Sequence, residues 1–238
     1  MYEYLLRRWM MLVSQLSGAA LIRAEEFVPD IRNTVCITGH REKGVIPYRG
    51  NRIYWNITKE AVKCMLGTYI DMALEKGYRS FFSGLAEGAD LWAAEHILRK
   101  KKRDGSIRLI GAMPFLDHAA GFSEESIKLL EKAERGADEL VLINDDPDAS
   151  YSKINSVYRD RNYFMVENSS VTLAFLNDDA SARRTGTMQT VNYSNRRGRR
   201  VYQFGISDIH RIIDKTGPDI RAVRAEIQRM DNIFDLPF

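Results

Sequence analysis

The chain has 238 residues, of which 45% are hydrophobic and 28% are charged, as in a globular protein that buries one large core. Its formal net charge of +3 is small for this length and does not require nucleic acid as a partner. The two cysteines, Cys36 and Cys64, lie within a predicted strand and a predicted helix. Their number and spacing form neither a zinc-binding pattern nor a disulfide framework, which indicates a reducing, cytoplasmic setting without a bound metal.

The first 32 residues are predicted to form an N-terminal helical extension. This segment contains arginines followed by an apolar stretch, but Ser14, Gln15 and Ser17 interrupt the stretch, unlike the apolar core of a signal peptide. No apolar run reaches the roughly 18 residues that a membrane-spanning helix needs. We therefore expect a helix that packs on the domain, and no membrane partner.

From residue 33 onward, short runs of β-branched and aromatic residues alternate with longer helical segments. The predicted strands are Thr34–Thr38, Arg79–Ser83, Ile107–Met113, Glu139–Ile143, Val171–Leu176 and Arg200–Phe204. The predicted helices are Asn56–Lys76, Gly88–Lys102, one capped by Ser123, Lys153–Asn168 and one that starts near Thr187. This alternation predicts an α/β fold, a Rossmann-like open parallel sheet with helices on both faces. The sheet domain is placed at 33–216, and a C-terminal helical tail at 217–238.

The residues that follow the first predicted strand are the first candidate for a binding site. In an open parallel sheet, ligands bind beyond the carboxyl ends of the strands. Gly39 permits a tight turn there, and His40, Arg41 and Lys43 offer hydrogen-bond donors and positive charge to a phosphate. A loop that only contacts solvent would explain the same residues.

The loop after the second predicted strand contains Ser83, Gly84 and Gly88 and leads into a helix. Free N–H groups at a helix N terminus attract anions, and glycine lets a phosphate approach closely. Asp90, in the first helical turn, can accept a ribose hydroxyl or can simply favour the helix dipole. Gly88 is expected to lie near the surface, so that a valine there would block the phosphate and leave the fold intact.

A predicted helix carries polar groups on an otherwise apolar stripe. Tyr158, Asn162 and Met165 share one face of this helix, and Arg161 lies at the border of that face. Buried polar groups need partners, so these side chains either face a ligand or hydrogen-bond to a loop.

The fourth candidate segment, residues 183–190, follows the fifth predicted strand. Gly186 and Thr187 open a helix there, and Thr187 and Thr190 are able to cap it. The hydroxyl and N–H groups form a second anion site, or they provide plain capping that needs no ligand.

Together, these segments resemble the YpsA-like family of the SLOG superfamily, which also contains the DNA-processing protein A and the LOG phosphoribohydrolases. The matching residues are Thr38-Gly39-His40-Arg41, then Ser83, Gly84, Gly88, Asp90 and Trp92, then Arg161-Asn162, and finally the string Thr185-Gly186-Thr187-Met188-Gln189-Thr190. Their order and spacing agree from about Thr34 to Phe204. The candidate ligand-binding residues are therefore Gly39, His40, Arg41, Ser83, Gly84, Gly88, Asp90, Arg161, Asn162, Gly186, Thr187 and Thr190.

Two positions depart from the pattern that the resemblance implies. Thr185 stands where the first glycine of the last loop is usual, and its Cβ narrows the backbone choices. Thr190 stands where the LOG hydrolases carry a catalytic glutamate, and threonine cannot act as a carboxylate base. The resemblance therefore does not imply the hydrolase activity of that branch.

Three functions follow from these observations. The first is binding or sensing of a nucleotide, a nucleotide sugar or another small phosphate-containing ligand. The second is hydrolysis of a nucleotide at its N-glycosidic or phosphate bond, with Asp90, Glu87 or His40 as candidate catalytic residues. The third is single-stranded DNA binding, which the arginine clusters favour and the near-neutral charge disfavours. Superfamily relatives often dimerise, so a homodimer is an alternative to a monomer.

Overall fold

A computed structural model describes residues 20–144, 154–178 and 185–235. Its strands are β1 (Ala20–Arg23), β2 (Thr34–Gly39), β3 (Ser80–Ser83), β4 (Arg108–Met113), β5 (Glu139–Leu142), β6 (Val171–Leu176) and β7 (Arg200–Gly205). Its helices are α1 (Trp55–Glu75), α2 (Ala89–Lys101), α3 (Glu124–Gly136), α4 (Ile154–Glu167), α5 (Gly186–Arg196), α6 (Ile206–Thr216) and α7 (Ile220–Gln228).

The strands form one parallel sheet with the order β1-β5-β4-β3-β2-β6-β7. The chain moves from β2 through β3 and β4 to β5 in one direction, then crosses to β6 on the other side of β2. The order therefore reverses between β2 and β6, which makes the gap beyond their carboxyl ends the topological switch point. The predicted α/β fold with a Rossmann-like parallel sheet is confirmed.

Helices cover both faces of the sheet because successive strand side chains point to opposite faces. In β2, Val35 and Ile37 pack into the larger core with α1, α2, α3, α6 and α7. Cys36, between them, packs on the other face against α4 residues Met165 and Val166. Helix α1 buries an apolar stripe in the larger core, with Ala61, Met65 and Tyr69 four residues apart along it.

The segment before residue 33 differs from the predicted helical extension where the structure describes it. Residues 1–19, which carry most of that prediction, lie outside the described residues. Residues Ala20–Arg23 are a strand that pairs with β5 in parallel register. Four residues carry too little periodicity to reveal a strand, and the partner that stabilises it lies more than a hundred residues away. The sheet thus begins at residue 20.

The C-terminal helices also differ in part from the prediction. Helix α6 follows β7 and is capped by the Asp208 carboxylate, which accepts a hydrogen bond from the N–H of Gly205 at 2.8 Å. Helix α7 spans Ile220–Gln228, so only part of the predicted C-terminal helical tail, 217–238, is an α-helix in the described residues. None of the helices in the described residues is both long enough and apolar enough to cross a bilayer.

Side-chain contacts hold the segment that joins β2 to α1 over the end of the sheet. Glu42 accepts a hydrogen bond from Lys59 of α1 at 2.9 Å. The Gly44 carbonyl accepts one from the Asn177 side chain at 3.0 Å. The ring Nε2 of His210 lies 2.9 Å from the Ile46 carbonyl oxygen. The segment between β2 and α1 is thus a series of short 3-10 turns beside the switch point.

Candidate functional site

The loops after β2 and β3 touch through glycine residues. A Cβ on Gly39 would overlap the Cβ of Ala89, the first residue of α2. The N–H of Ala89 donates a hydrogen bond to the carbonyl of His40 at 3.3 Å. Two of the predicted site segments therefore lie side by side at the carboxyl end of the sheet.

Gly88 lies inside this loop contact and not near the surface, so the expectation that a valine would leave the fold intact is wrong. It has φ of 85° and ψ of −127°, a combination that essentially only glycine adopts. A Cβ there would lie 2.6 Å from the backbone nitrogen of Glu42 and 2.8 Å from the Cα of Arg41. Backbone atoms cannot move aside as a flexible side chain can, so any side chain at this position separates the two loops.

The hydroxyl group of Ser83 is used inside its own loop. It donates to the carbonyl of Asp90 at 2.9 Å and accepts from the N–H of Leu85 at 3.2 Å. Leu85 has a positive φ of 53° and a fully buried side chain. The N–H of Leu91 donates to the carbonyl of Ala86 at 3.3 Å. The chain's own carbonyls therefore take up two of the first three N–H groups of α2.

Asp90 and Arg161 form an ion pair between α2 and α4. Arg161 Nη1 lies 3.6 Å from Asp90 Oδ2 and also donates to the carbonyl of Gly84. The two side chains are 5% and 8% exposed, so this pair is desolvated. A Cβ on Gly84 would overlap the guanidinium group, which explains why glycine is needed at this position. Arg161 is therefore central to the site and not at the border of its face.

Burial raises the pKa of Asp90 to about 6, against the opposing effect of Arg161 and of backbone hydrogen bonds from Ala86 and Gly39. Burial also lowers the pKa of Arg161, and the charge of Asp90 opposes that shift. The carboxyl group is thus occupied by protein partners.

Tyr158 lies between two guanidinium groups. The Cζ atom of Arg41 is 6.0 Å from the ring centroid, and that of Arg161 is 5.8 Å away. The hydroxyl of Tyr158 donates to the carbonyl of His118 at 3.3 Å. This aromatic contact joins the loop after β2 to α4 and places two cationic groups at one side of the switch point.

The N terminus of α5 lies beside α4. Thr185 caps α5, and its hydroxyl accepts a hydrogen bond from the N–H of Met188 at 3.3 Å. Gly186 is exposed, and among the described residues a Cβ on it would meet the Asn162 amide nitrogen, at 3.8 Å, and no other atom within 4 Å. The structure therefore brings Asn162 and Gly186 together, next to Arg161. Arg183 and Arg184 of the same predicted segment lie outside the described residues.

The prediction that Thr187 and Thr190 cap this helix is wrong. Both lie within α5 and are buried, and the Thr190 hydroxyl donates to the carbonyl of Gly186 at 2.8 Å. The cap is Thr185, the residue that departs from the family pattern. Its hydroxyl performs a task that glycine could not.

Glu87 and Asn177 form further hydrogen bonds within the loops of this site. Glu87 accepts a hydrogen bond from the N–H of Ser123 at 2.8 Å, which fixes the start of α3. Burial raises the pKa of Glu87, but hydrogen bonds from Ser123 and Ser126 outweigh burial and lower it. Asn177, which follows β6, contacts His40 and Gly44 and was not predicted, because a single asparagine after a strand has no distinctive pattern.

The described residues contain no group of three or more His, Cys, Asp and Glu side chains that could hold a metal ion. Cys36 and Cys64 are free thiols, and burial raises the pKa of Cys36 to about 12. The polar groups at the switch point are therefore mostly hydrogen-bond donors and cations, with Asp90 as the buried acid.

The fold and this arrangement define an α/β protein with a Rossmann-like sheet and polar loops at the switch point. Comparison with family models matches residues 35–209 to the YpsA model, described as the YspA SLOG family. The chain belongs to this family, and the resemblance that its motifs indicate is confirmed. No curated protein matches the chain. The matched range begins in β2 and ends in α6.

The first testable prediction concerns the contact at Gly88. Gly88→Ala should lower the free energy of unfolding by about 2–4 kcal/mol, because it adds both a steric clash and backbone strain. Gly77→Ala is the matched control, since Gly77 also has a positive φ, of 92°, but a Cβ there would meet nothing within 4 Å. Urea unfolding should show a loss of only about 1 kcal/mol for the control. Equal losses would mean that the loops do not touch at Gly88.

The second prediction concerns the titration of Asp90. A carboxyl whose pKa is raised in the folded state stabilises the fold fully below its ordinary pKa and loses that contribution as pH rises through about 6. The difference in unfolding free energy between the parent and Asp90→Asn should therefore shift against the parent by roughly 2–3 kcal/mol between about pH 4 and pH 7. Urea titrations across this range measure the difference, and a flat difference would refute the raised pKa.

Proposed function

We propose that the chain binds a nucleotide or a nucleotide derivative at the switch point between β2 and β6 and acts as a sensor of that ligand. The observation that carries the proposal is a local excess of donors and positive charge. Buried Arg161 Nε has no acceptor within the described part of the chain. In the same part of the chain, the guanidinium of Arg41 forms no ion pair, and its Cζ atom lies 6.0 Å from the centroid of the Tyr158 ring. A phosphate-containing ligand supplies the acceptors that these groups need.

The N terminus of α5 is the favoured place for the phosphate. Gly186 is exposed and lacks a side chain, and the amide of Asn162 lies next to it. Exposed N–H groups at the start of a helix of this length favour an anion. The start of α2 is a weaker candidate, because its first N–H groups are bonded to the chain and a carboxyl group lies in its first turn.

Membership of the SLOG group supports a nucleotide over a simple anion, since the family connects this chain with nucleotide-related binding or processing. The cationic group of Arg41 and the ring of Tyr158 lie about one helical turn from Asn162 along α4. A ligand larger than inorganic phosphate is needed to contact both places at once.

DNA binding is the less favoured alternative. The basic cluster before β7 is tied to the protein, since Arg197 forms an ion pair with Glu167 at 2.8 Å and Arg199 donates to the Glu167 carbonyl at 3.2 Å. The stacked pair of Tyr163 and Tyr193 occupies ring faces that a base would need, with ring centroids 3.7 Å apart.

A hydrolase is the second candidate function, and the specific observation behind it is Asp90. A buried acid with a pKa of about 6 is suited to proton transfer near neutral pH. The ion pair with Arg161 and the backbone hydrogen bonds hold this carboxyl in place at the start of α2.

The third prediction tests the proposed ligand site at α5. Gly186→Val should weaken binding of AMP, ADP or ADP-ribose about tenfold or more, because its methyl groups cover the helix N terminus. The fold should survive, since Gly186 has an ordinary φ and open space around it. Titration calorimetry with the three nucleotides measures the affinity, and thermal melting checks the fold.

Gly105→Val is the matched control for this experiment. Gly105 is also exposed, has an ordinary φ and open surroundings, and lies before β4 at the opposite end of the sheet. This control should bind like the parent. Binding that Gly186→Val leaves unchanged would move the site elsewhere, and a parent that binds none of the three nucleotides would contradict the proposed function.

The fourth prediction concerns hydrolysis. The parent should release base from AMP slowly or not at all, since Thr190 supplies no carboxylate at the start of α5. Thr190→Glu should not restore the activity, because Thr190 is fully buried and the new charge should lower the free energy of unfolding by about 2–4 kcal/mol. Chromatography of the released base and a urea titration measure the two effects. Rapid turnover by the parent that Asp90→Asn abolishes would instead establish the chain as an enzyme.

A further inference from the structure

His40 is held on both sides at the end of β2. Its N–H donates to the carbonyl of Phe175 at 3.2 Å, and its carbonyl accepts from the N–H of Ala89 at 3.3 Å. The imidazole ring meets the ring of Phe175 edge-on, at 6.2 Å between centroids and 80° between planes. A Cβ on Gly44 would lie 2.9 Å from the Cβ of His40, so the base of the ring is tightly enclosed.

The position of the proton on the His40 ring follows from Asn177. The backbone N–H of Asn177 donates to Nδ1 of His40 at 2.9 Å. A backbone N–H can only donate, so Nδ1 must accept, and the proton of the neutral ring lies on Nε2. The Phe175 carbonyl oxygen also lies near Nδ1, at 3.3 Å, but it could accept only from a protonated Nδ1, and that proton would exclude the shorter hydrogen bond from Asn177. Burial lowers the pKa of His40, so the neutral form prevails at neutral pH.

This tautomer leaves an N–H donor at the tip of a buried ring. His40 is 8% exposed, and its Nε2 atom is buried without a hydrogen-bond partner among residues 20–144, 154–178 and 185–235. Buried donors without an acceptor are costly and rare in folded proteins. The donor belongs to a residue at the switch point, and Arg161 Nε, another buried donor without an acceptor among the described residues, lies at the same place.

We propose that His40 binds the ligand as a neutral hydrogen-bond donor, with Nε2–H directed to an unprotonated oxygen of a phosphate or carbonyl group. This inference rests on the proposed function and assigns His40 the role of a specificity-determining residue. It removes His40 from the candidate proton acceptors, because its only lone pair is held by Asn177. A neutral imidazole selects for an acceptor without adding a charge.

Ligand binding must then open the site slightly. The Nε2 atom is shielded from solvent, so an oxygen reaches it only after a neighbouring group shifts. The oxygen does not have to displace water from the donor, which favours the new hydrogen bond over one formed at an exposed donor.

The tautomer is tested first in the free protein. Nitrogen-15 spectra of the histidine rings should show Nε2 of His40 protonated and Nδ1 unprotonated near pH 7. His40→Asn identifies the resonances by their loss, among the four histidines of the chain. A proton on Nδ1, or a charged ring, would overturn the proposal without a bearing on nucleotide binding.

Two substitutions test the contact with AMP. His40→Asn keeps an oxygen where Nδ1 accepts from Asn177 but lacks the donor at the tip of the ring, so affinity for AMP should fall about 10–100-fold while melting stays near the parent's. His40→Gln places an amide N–H nearer the tip and should recover part of the affinity. His96→Asn is the control, since His96 pairs with Asp71 between α1 and α2 and should leave affinity unchanged.

The outcomes separate this inference from the proposed function. If AMP binds the parent but leaves both the Nε2 resonance and the affinity of His40→Asn unchanged, the role of His40 is refuted and the proposed function stands. Inorganic phosphate serves as a second probe. If phosphate shifts the resonance and AMP does not bind, the role of His40 stands and nucleotide binding is refuted. If neither probe shifts the resonance, His40 is not a ligand donor.

Discussion

The buried ion pair of Asp90 and Arg161 is the interaction on which the site depends. It joins the first turn of α2 to α4 across the carboxyl end of the sheet, and the Gly84 carbonyl accepts a further hydrogen bond from the guanidinium group. A buried pair of this kind adds little net stability, but loss of either partner leaves an uncompensated charge. The ion pair instead fixes the position of α4 relative to the loop between β3 and α2.

The two predicted anion sites differ because of what the chain places at each helix N terminus. The His40 carbonyl and the Asp90 carboxyl lie at the start of α2. The glycines there allow the neighbouring loops to pack closely. The start of α5 has one side-chain cap, from Thr185, and an exposed glycine. A similar sequence pattern therefore leads to a packed junction in one place and an open N terminus in the other.

The sequence was sufficient for the sheet and the main helices because their patterns are local. Alternation of apolar runs revealed six of the strands, and Ser123 was correctly placed as a helix cap. The sequence was insufficient where a structural feature depends on a contact between two distant segments. The partner of Asp90 is 71 residues away, and the strand at Ala20–Arg23 exists because β5 offers it an edge.

Helix α4 carries the groups that make the site a unit. Arg161 and Asn162 follow Tyr158 by three and four residues, which places both near Tyr158 on one side of the helix. Tyr158 contacts Arg41, Arg161 contacts Asp90, and Asn162 lies beside Gly186. Because the buried ion pair of Arg161 fixes the position of α4 relative to α2, it also positions the part of the helix that carries Tyr158 and Asn162. The ion pair therefore helps to position both the contact of Tyr158 with Arg41 and the contact of Asn162 with the N terminus of α5.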